Sequence, residues 1–153
     1  MKKVPSKEAV RAWARLLRAQ QLLLQKVEQD LKAAHLPALE WYDVLLELDR
    51  AENGRLRHRE LHPRLLLAKY NLSRLIDRME GEGLVRREPS PEDARGADIA
   101  ITEKGRTLRR KMWPVYEAAI GRHFASRLKA EEIERLSGAL ETLIDATSAE
   151  GQL

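Results

Sequence analysis

The chain has 153 residues, a formal net charge of +4, 34% charged and 43% hydrophobic residues, and one phenylalanine; this suits a single, mainly helical domain and not a β-sandwich or barrel. It has no cysteine, which removes disulfides, thiolate redox chemistry and Cys-ligated zinc, and with neither an apolar run long enough to span a bilayer nor a signal-peptide pattern it is expected to be cytoplasmic, with no membrane partner. The charge is uneven: residues 55–111 hold 15 Lys/Arg against 9 Asp/Glu, and the rest 13 against 15, so the middle either faces a polyanion or is an ordinary solvated surface.

From Ser6 to Ala34, positions Val10, Trp13, Leu17, Gln20, Leu24, Val27 and Leu31 step by three and four, and Leu16 and Leu23 widen the stripe. The spacing predicts one long amphipathic helix, capped by Ser6 and ended by His35-Leu36-Pro37. A helix of about 28 residues is about 42 Å long, more than this chain covers by itself. A second helix runs through Ala38, Trp41, Tyr42, Leu45 and Leu48 to a turn at Asn53-Gly54. Near the other end, Thr102 opens a helix carrying Leu108, Met112, Val115, Tyr116, Ala119 and Ile120, with a kink expected at Pro114. Ile133, Leu136, Leu140, Leu143 and Ile144 form a last one. First and last helices can build a dimer interface. The expected organisation is a single domain over 1–153, with 6–35 and 103–147 mainly dimerisation helices around a central part, 37–101.

In that centre, Leu72, Leu75, Ile76 and Met79 recur at i, i+3, i+4 and i+7, leaving Lys69, Tyr70, Asn71, Ser73, Arg74, Asp77 and Arg78 on the other side. One face is core; the other is polar and basic. Such a helix can be a plain surface helix, or it can enter a DNA major groove, where Arg and Asn pair with guanine and adenine edges. Gly81 or Gly83 ends it. Leu84 to Glu88 and Ala97 to Ile101 then alternate as two short antiparallel strands around a Pro/Gly loop. A β-hairpin directly after a recognition-type helix is a wing, whose Arg86 and Arg87 would reach phosphates or an adjacent minor groove.

Arg74-Leu75-Ile76-Asp77-Arg78-Met79-Glu80, Gly83-Leu84-Val85-Arg86-Arg87, Pro89-Ser90-Pro91-Glu92-Asp93-Ala94-Arg95 and Ile101-Thr102-Glu103-Lys104-Gly105 together resemble the MarR family of winged helix-turn-helix transcriptional regulators. The motif-level resemblance spans roughly residues 36–110. It implies a mainly α fold with a small β-hairpin wing, flanked by N- and C-terminal dimerisation helices. It also implies a homodimer that sets two winged parts on successive major grooves of double-stranded DNA. Position by position, Lys69 to Arg74 match the start of the recognition helix, and Asp93 and Arg95 match the wing tip, where the family's aspartate orients the arginine toward the minor groove. This sequence departs from the pattern at Ala68 and Lys129, where capping hydroxyls are usual, and at His62 and Leu66, in place of a small residue and a turn glycine. Pro63 is expected to shorten or restart the helix before the recognition helix.

Trp13, Trp41, Tyr42, Trp113 and Tyr116 fall on the three helices that, in the resembled family, border a ligand cavity. With His35, Arg11 or Arg15 nearby they would suit a small aromatic or phenolic effector, or they are core and interface anchors. His58 and His62 share the i, i+4 spacing of metal ligands, but HRELH is not HExxH and Pro63 opposes a regular helix there, so no metal or other cofactor is expected. No P-loop, GxGxxG, GxSxG or cysteine nucleophile occurs, so the chain is not read as an enzyme. The rival to a DNA-binding regulator is a winged-fold dimer that acts as a protein-binding adaptor.

Overall fold

The computed structural model describes residues 3–67, 70–92 and 95–151. Helix α1, Lys7–Ala33, opens on Ser6, whose hydroxyl accepts the Ala9 N–H at 3.0 Å. His35 turns the chain through a left-handed φ of 57°. Helix α2, Leu39–Arg50, has no capping side chain of its own. Glu28 of α1 supplies it instead, its Oε1 accepting the Leu39 N–H at 2.8 Å. Asn53 and Gly54, at φ of 59° and 65°, make the expected turn.

The sheet departs from the two-stranded expectation. A strand unread in the sequence, β1, Arg55–Arg57, pairs antiparallel with β3, Ala97–Ile101, through Arg55↔Ala100, Leu56↔Ile99 and Arg57↔Asp98. On its other edge β3 pairs with β2, Val85–Pro89, in the register Val85↔Ile101 to Pro89↔Ala97. The strand order is β1-β3-β2. Between β1 and the segment expected to carry recognition, helix α3 is only His58–Leu61, followed by a 3₁₀ turn, His62–Arg64. Pro63 thus shortens the helix, since its ring clashes with a preceding α-turn.

Helix α4, Leu72–Gly81, buries Leu72, Leu75, Ile76 and Met79. At about 1.5–3 kcal/mol per buried side chain, this stripe outweighs the modest propensity of a ten-residue helix. Gly83, not Gly81, ends it. At φ 74° Gly83 donates to the Glu80 carbonyl at 2.9 Å and Leu84 donates to Met79 at 3.0 Å, the paired bonds of a Schellman stop.

Helix α5, Glu103–His123, starts on Thr102, whose Oγ1 accepts the Gly105 N–H at 3.1 Å and itself donates to Gly83 O at 2.7 Å. It continues through Pro114 without ending there. Helix α6, Ala130–Glu150, lacks a capping hydroxyl at Lys129, but Glu132 accepts the Lys129 N–H at 2.9 Å and restores half a capping box.

Two apolar cores result. One gathers α2, β1, α3, α4 and the wing strands around Leu45, Leu61, Ile76 and Val85. The other joins α1, α2 and α5 through Val27, Leu31, Leu39, Tyr42, Met112 and Ala119. Helix α2 contributes to both. The N-terminal half of α1 and all of α6 hold no fully buried residue, and Val10, Trp13, Leu17, Leu143 and Ile144 stand exposed.

Candidate nucleic-acid interface

Because the α4 stripe repeats at helical spacing, its opposite face is fixed by geometry: Ser73, Arg74, Asp77 and Arg78 all lie exposed on it. Tyr70 and Asn71 precede the helix. Tyr70 is 90% exposed, and Asn71 is the N-cap residue at φ 60°, with no side-chain capping bond. Asn71 is exposed, and its left-handed backbone departs from the extended geometry in which a cap side chain bonds the helix. Lys69 and Asp93, both expected at the interface, lie outside the described residues, as does Ala68.

Several of the arginines here are held in ion pairs. Arg87 is held: it pairs with Asp77 at 2.7 Å and Glu80 at 3.0 Å, and its backbone N–H donates to Glu80 at 2.8 Å. Arg86 pairs with Glu88 of its own strand, and Arg78 reaches Glu40 at 3.6 Å. Arg74 is exposed and has no ion pair among the described residues. Arg95 is exposed beside the wing, where it lines a recess of about 270 Å³ with Arg57, His58, Arg59, Gly96 and Ala97. Arg57 is held at the back of the recess, donating to Ser90 Oγ at 2.8 Å and lying 3.9 Å from Asp98, while His58, Arg59 and Arg95 are exposed, a setting for phosphate oxygens. Sequence reasoning did not single out Arg57 and Arg59; the signal was the run Arg55-Leu56-Arg57-His58-Arg59.

His58 joins this surface to α4, its Nε2 lying 3.4 Å from Ser73 Oγ. Its ring lies nearly parallel to that of His62, with centroids 6.4 Å apart. Among the described residues no group of three or more metal-ligating side chains is assembled.

Among the described residues, the aromatic residues fall at separate places. Tyr42, Trp113 and Tyr116 pack directly on one another: Tyr42 stacks on Trp113 at 6.1 Å and meets Tyr116 edge-on at 5.2 Å, and Trp113 meets Tyr116 at 5.8 Å. Trp41 packs against the winged core and lines a different groove with Pro37, Leu84 and Leu108. Trp13 is 63% exposed on the uncovered half of α1, and His35 is exposed at its turn. Adjacent helical residues point about 100° apart, which sends Trp41 and Tyr42 to different cores.

Beside Tyr42, the Asp43 side chain is 6% exposed. Its Oδ2 accepts the N–H groups of Leu66 and Leu67, each at 2.8 Å, in the segment just before α4. Burial raises the Tyr116 phenol pKa above its ordinary value, and the charge of Asp43 and the neighbouring Tyr42 add to the shift.

Residues 36–96 match the sequence profile of the MarR family. Nearly the whole chain is similar to AbsC, a MarR family transcriptional regulator from Streptomyces coelicolor, at 31% identity and TM-score 0.83, covering 97% of this chain and 99% of that one. The chain belongs to the MarR family. Another MarR family regulator from the same organism, Sco3205, in complex with DNA, superposes with TM-score 0.85 at 25% identity, over 95% of this chain and 91% of its own. The HTH-type transcriptional repressor IacR of Pseudomonas putida is 31% identical over 119 residues, 78% of this MarR-family chain and 69% of IacR. Overlap with other curated relatives is smaller, the chain spanning 62% of the length of one from Bacillus subtilis.

Proposed function

We propose that this MarR-family protein is a sequence-specific regulator of transcription that binds double-stranded DNA as a homodimer on a pseudo-palindromic site. The observation that carries this reading is the outward face of α4, with Tyr70, Asn71, Ser73 and Arg74 exposed together beside the Arg95 recess. Base edges are read by such side chains, while the recess arginines take phosphates or the minor groove. The DNA-bound state of Sco3205 supports the same use of the fold.

The homodimer is supported by the exposed stripe of α1 and by an apolar groove of about 490 Å³ lined by Leu16, Leu23, Phe124, Leu136 and Leu140. A second copy covering both removes exposed patches of the kind monomers seldom carry. The terminal helices, 6–35 and 103–147, then dimerise, and 37–101 binds DNA. Repression is supported by the similarity to the repressor IacR. Release by a small aromatic or phenolic effector fits the close-packed rings of Tyr42, Trp113 and Tyr116. A flat ring entering among them must part α2 from α5 and change the separation of the two α4 helices, which half-sites fix at about 34 Å.

The test is fluorescence-anisotropy binding to DNA flanking the protein's own gene, against a random duplex, at two salt concentrations. Selective binding that weakens steeply with salt is expected, as phosphate-bound cations release counterions. Equal binding to both duplexes at both salts overturns the regulator in favour of a protein-binding adaptor.

A further inference from the structure

Helix α4 carries the recognition face, yet nothing inside α4 decides where it starts. Its N-cap, Asn71, makes no side-chain capping bond, and the segment before it follows a 3₁₀ turn in place of a full helix. Leu65 is buried there and Leu67 packs against the α1–α2–α5 core, while Leu66 is 81% exposed. The backbone of the segment is fixed by Asp43, one carboxylate oxygen of which takes two successive N–H groups at 2.8 Å each. Bonds from neutral N–H groups to a buried carboxylate are among the stronger kinds, and they define direction as well as distance. A hydrophobic side chain at position 43 would fill the same space and serve the core without them.

The element that carries Asp43 matters equally. Helix α2 is shared by both cores, and the residue beside Asp43, Tyr42, is stacked on Trp113 and edge-on to Tyr116 of α5. The path from α5 to the start of α4 therefore runs through two adjacent residues: ring contacts at Tyr42, then hydrogen bonds at Asp43. Tyr42 and Asp43 themselves are buried, and close-packed side chains transmit a displacement to their neighbours.

We propose that Asp43 is a positioning residue for DNA recognition: its carboxylate fixes the turn at Leu66 and Leu67 to α2, so that α2 and the start of α4 move as one body. The inference rests on the DNA-binding reading and names the residue through which the α2–α5 layer acts on α4.

The experiment compares the wild-type protein with Asp43→Asn and Asp43→Ala. Two quantities are read: preference for the selected DNA site over a random duplex, and hydrogen exchange of the Leu66 and Leu67 amides against those of Leu45 and Leu48 in α2. An asparagine oxygen still accepts, without the charge, whereas alanine removes both bonds. Preference and exchange protection at Leu66 and Leu67 are expected to fall together in the order wild type, Asn, Ala. The alanine variant should lose about tenfold or more in preference, the scale of one charge-assisted bond, while random-duplex affinity and exchange at Leu45 and Leu48 stay unchanged. Full preference in either folded variant overturns the proposal, as does faster exchange of all four amides alike, which marks a purely structural role. Should the alanine variant not fold, the asparagine variant decides alone, by lowered preference with faster exchange at Leu66 and Leu67 only. A wild-type protein with no preference at all refutes the DNA-binding reading itself, and this proposal with it.

Discussion

Arg87 of β2 lies 2.7 Å from Asp77 and 3.0 Å from Glu80, both on α4. A guanidinium expected to reach DNA from the wing spans the gap between the wing and α4. Its Nη2 also approaches the Ser73 carbonyl at 3.4 Å, so one side chain braces three points along the helix. Arg87 is about one-third exposed, and part-exposed ion pairs contribute roughly 0–1 kcal/mol each. Its main effect is to fix orientation.

Arg87→Ala and Arg95→Ala are therefore expected to differ. Replacing Arg95 should lower the slope of log affinity against log salt by about one unit for each phosphate the side chain neutralises. Replacing Arg87 should leave the slope unchanged and reduce site preference instead. Titrations of both variants at three salt concentrations check this, and equal slopes for the two would remove the distinction.

Asn71 permits a separation of backbone from side chain. At φ 60° an alanine costs about 1–2 kcal/mol in the left-handed region, whereas glycine adopts it freely. Asn71→Gly should keep wild-type thermal stability and relax base preference at one position of the site. A glycine variant with intact preference would mean that the residue serves the turn alone.

Gly105 is required by proximity. A Cβ there would lie 2.2 Å from the Leu84 carbonyl oxygen and 2.9 Å from Ile101 Cγ1, backbone and core atoms that cannot swing aside. Gly105→Ala should destabilise the fold by roughly 1–3 kcal/mol, the usual range for overpacking, measured by urea denaturation.

Tyr116 gives a signed pH effect. Its folded pKa is raised, first by burial, then by Asp43 and Tyr42, so the folded state holds the phenolic proton more tightly than the unfolded one. The associated stability is complete below the ordinary tyrosine value of about 10 and is lost as pH rises through the higher folded value. Melting temperatures of wild type and Tyr116→Phe should run parallel at neutral pH. Above about pH 10 the wild type should fall faster.

Local chemistry was legible in the sequence and distant pairing was not. Ser6, Thr102 and the α4 stripe act within one or two helical turns, so their roles follow from spacing alone. The strand β1 is three residues, Arg-Leu-Arg, and exists because β3, far along the chain, pairs with it through Ala100, Ile99 and Asp98. Nothing local marks it. Arg87 likewise took its role from acids on another element. The division between Trp41 and Tyr42 was readable in principle, since neighbours on a helix diverge by about 100°. The capping of α2 by Glu28 could not be read, because it depends on how α1 returns past it.

The strand order β1-β3-β2 has a consequence for how the protein is made and opened. Pairing Arg55 with Ala100 closes a ring of backbone around α3 and α4. Closing a loop of that length costs entropy before any contact repays it, so it belongs to a late step of folding. Once shut, the sheet ties β1 to the wing, both β1 and β2 being held by β3, so the three strands are expected to open as one cooperative unit. Amides of β1, β2 and β3 should then exchange with a single opening free energy in native-state hydrogen exchange.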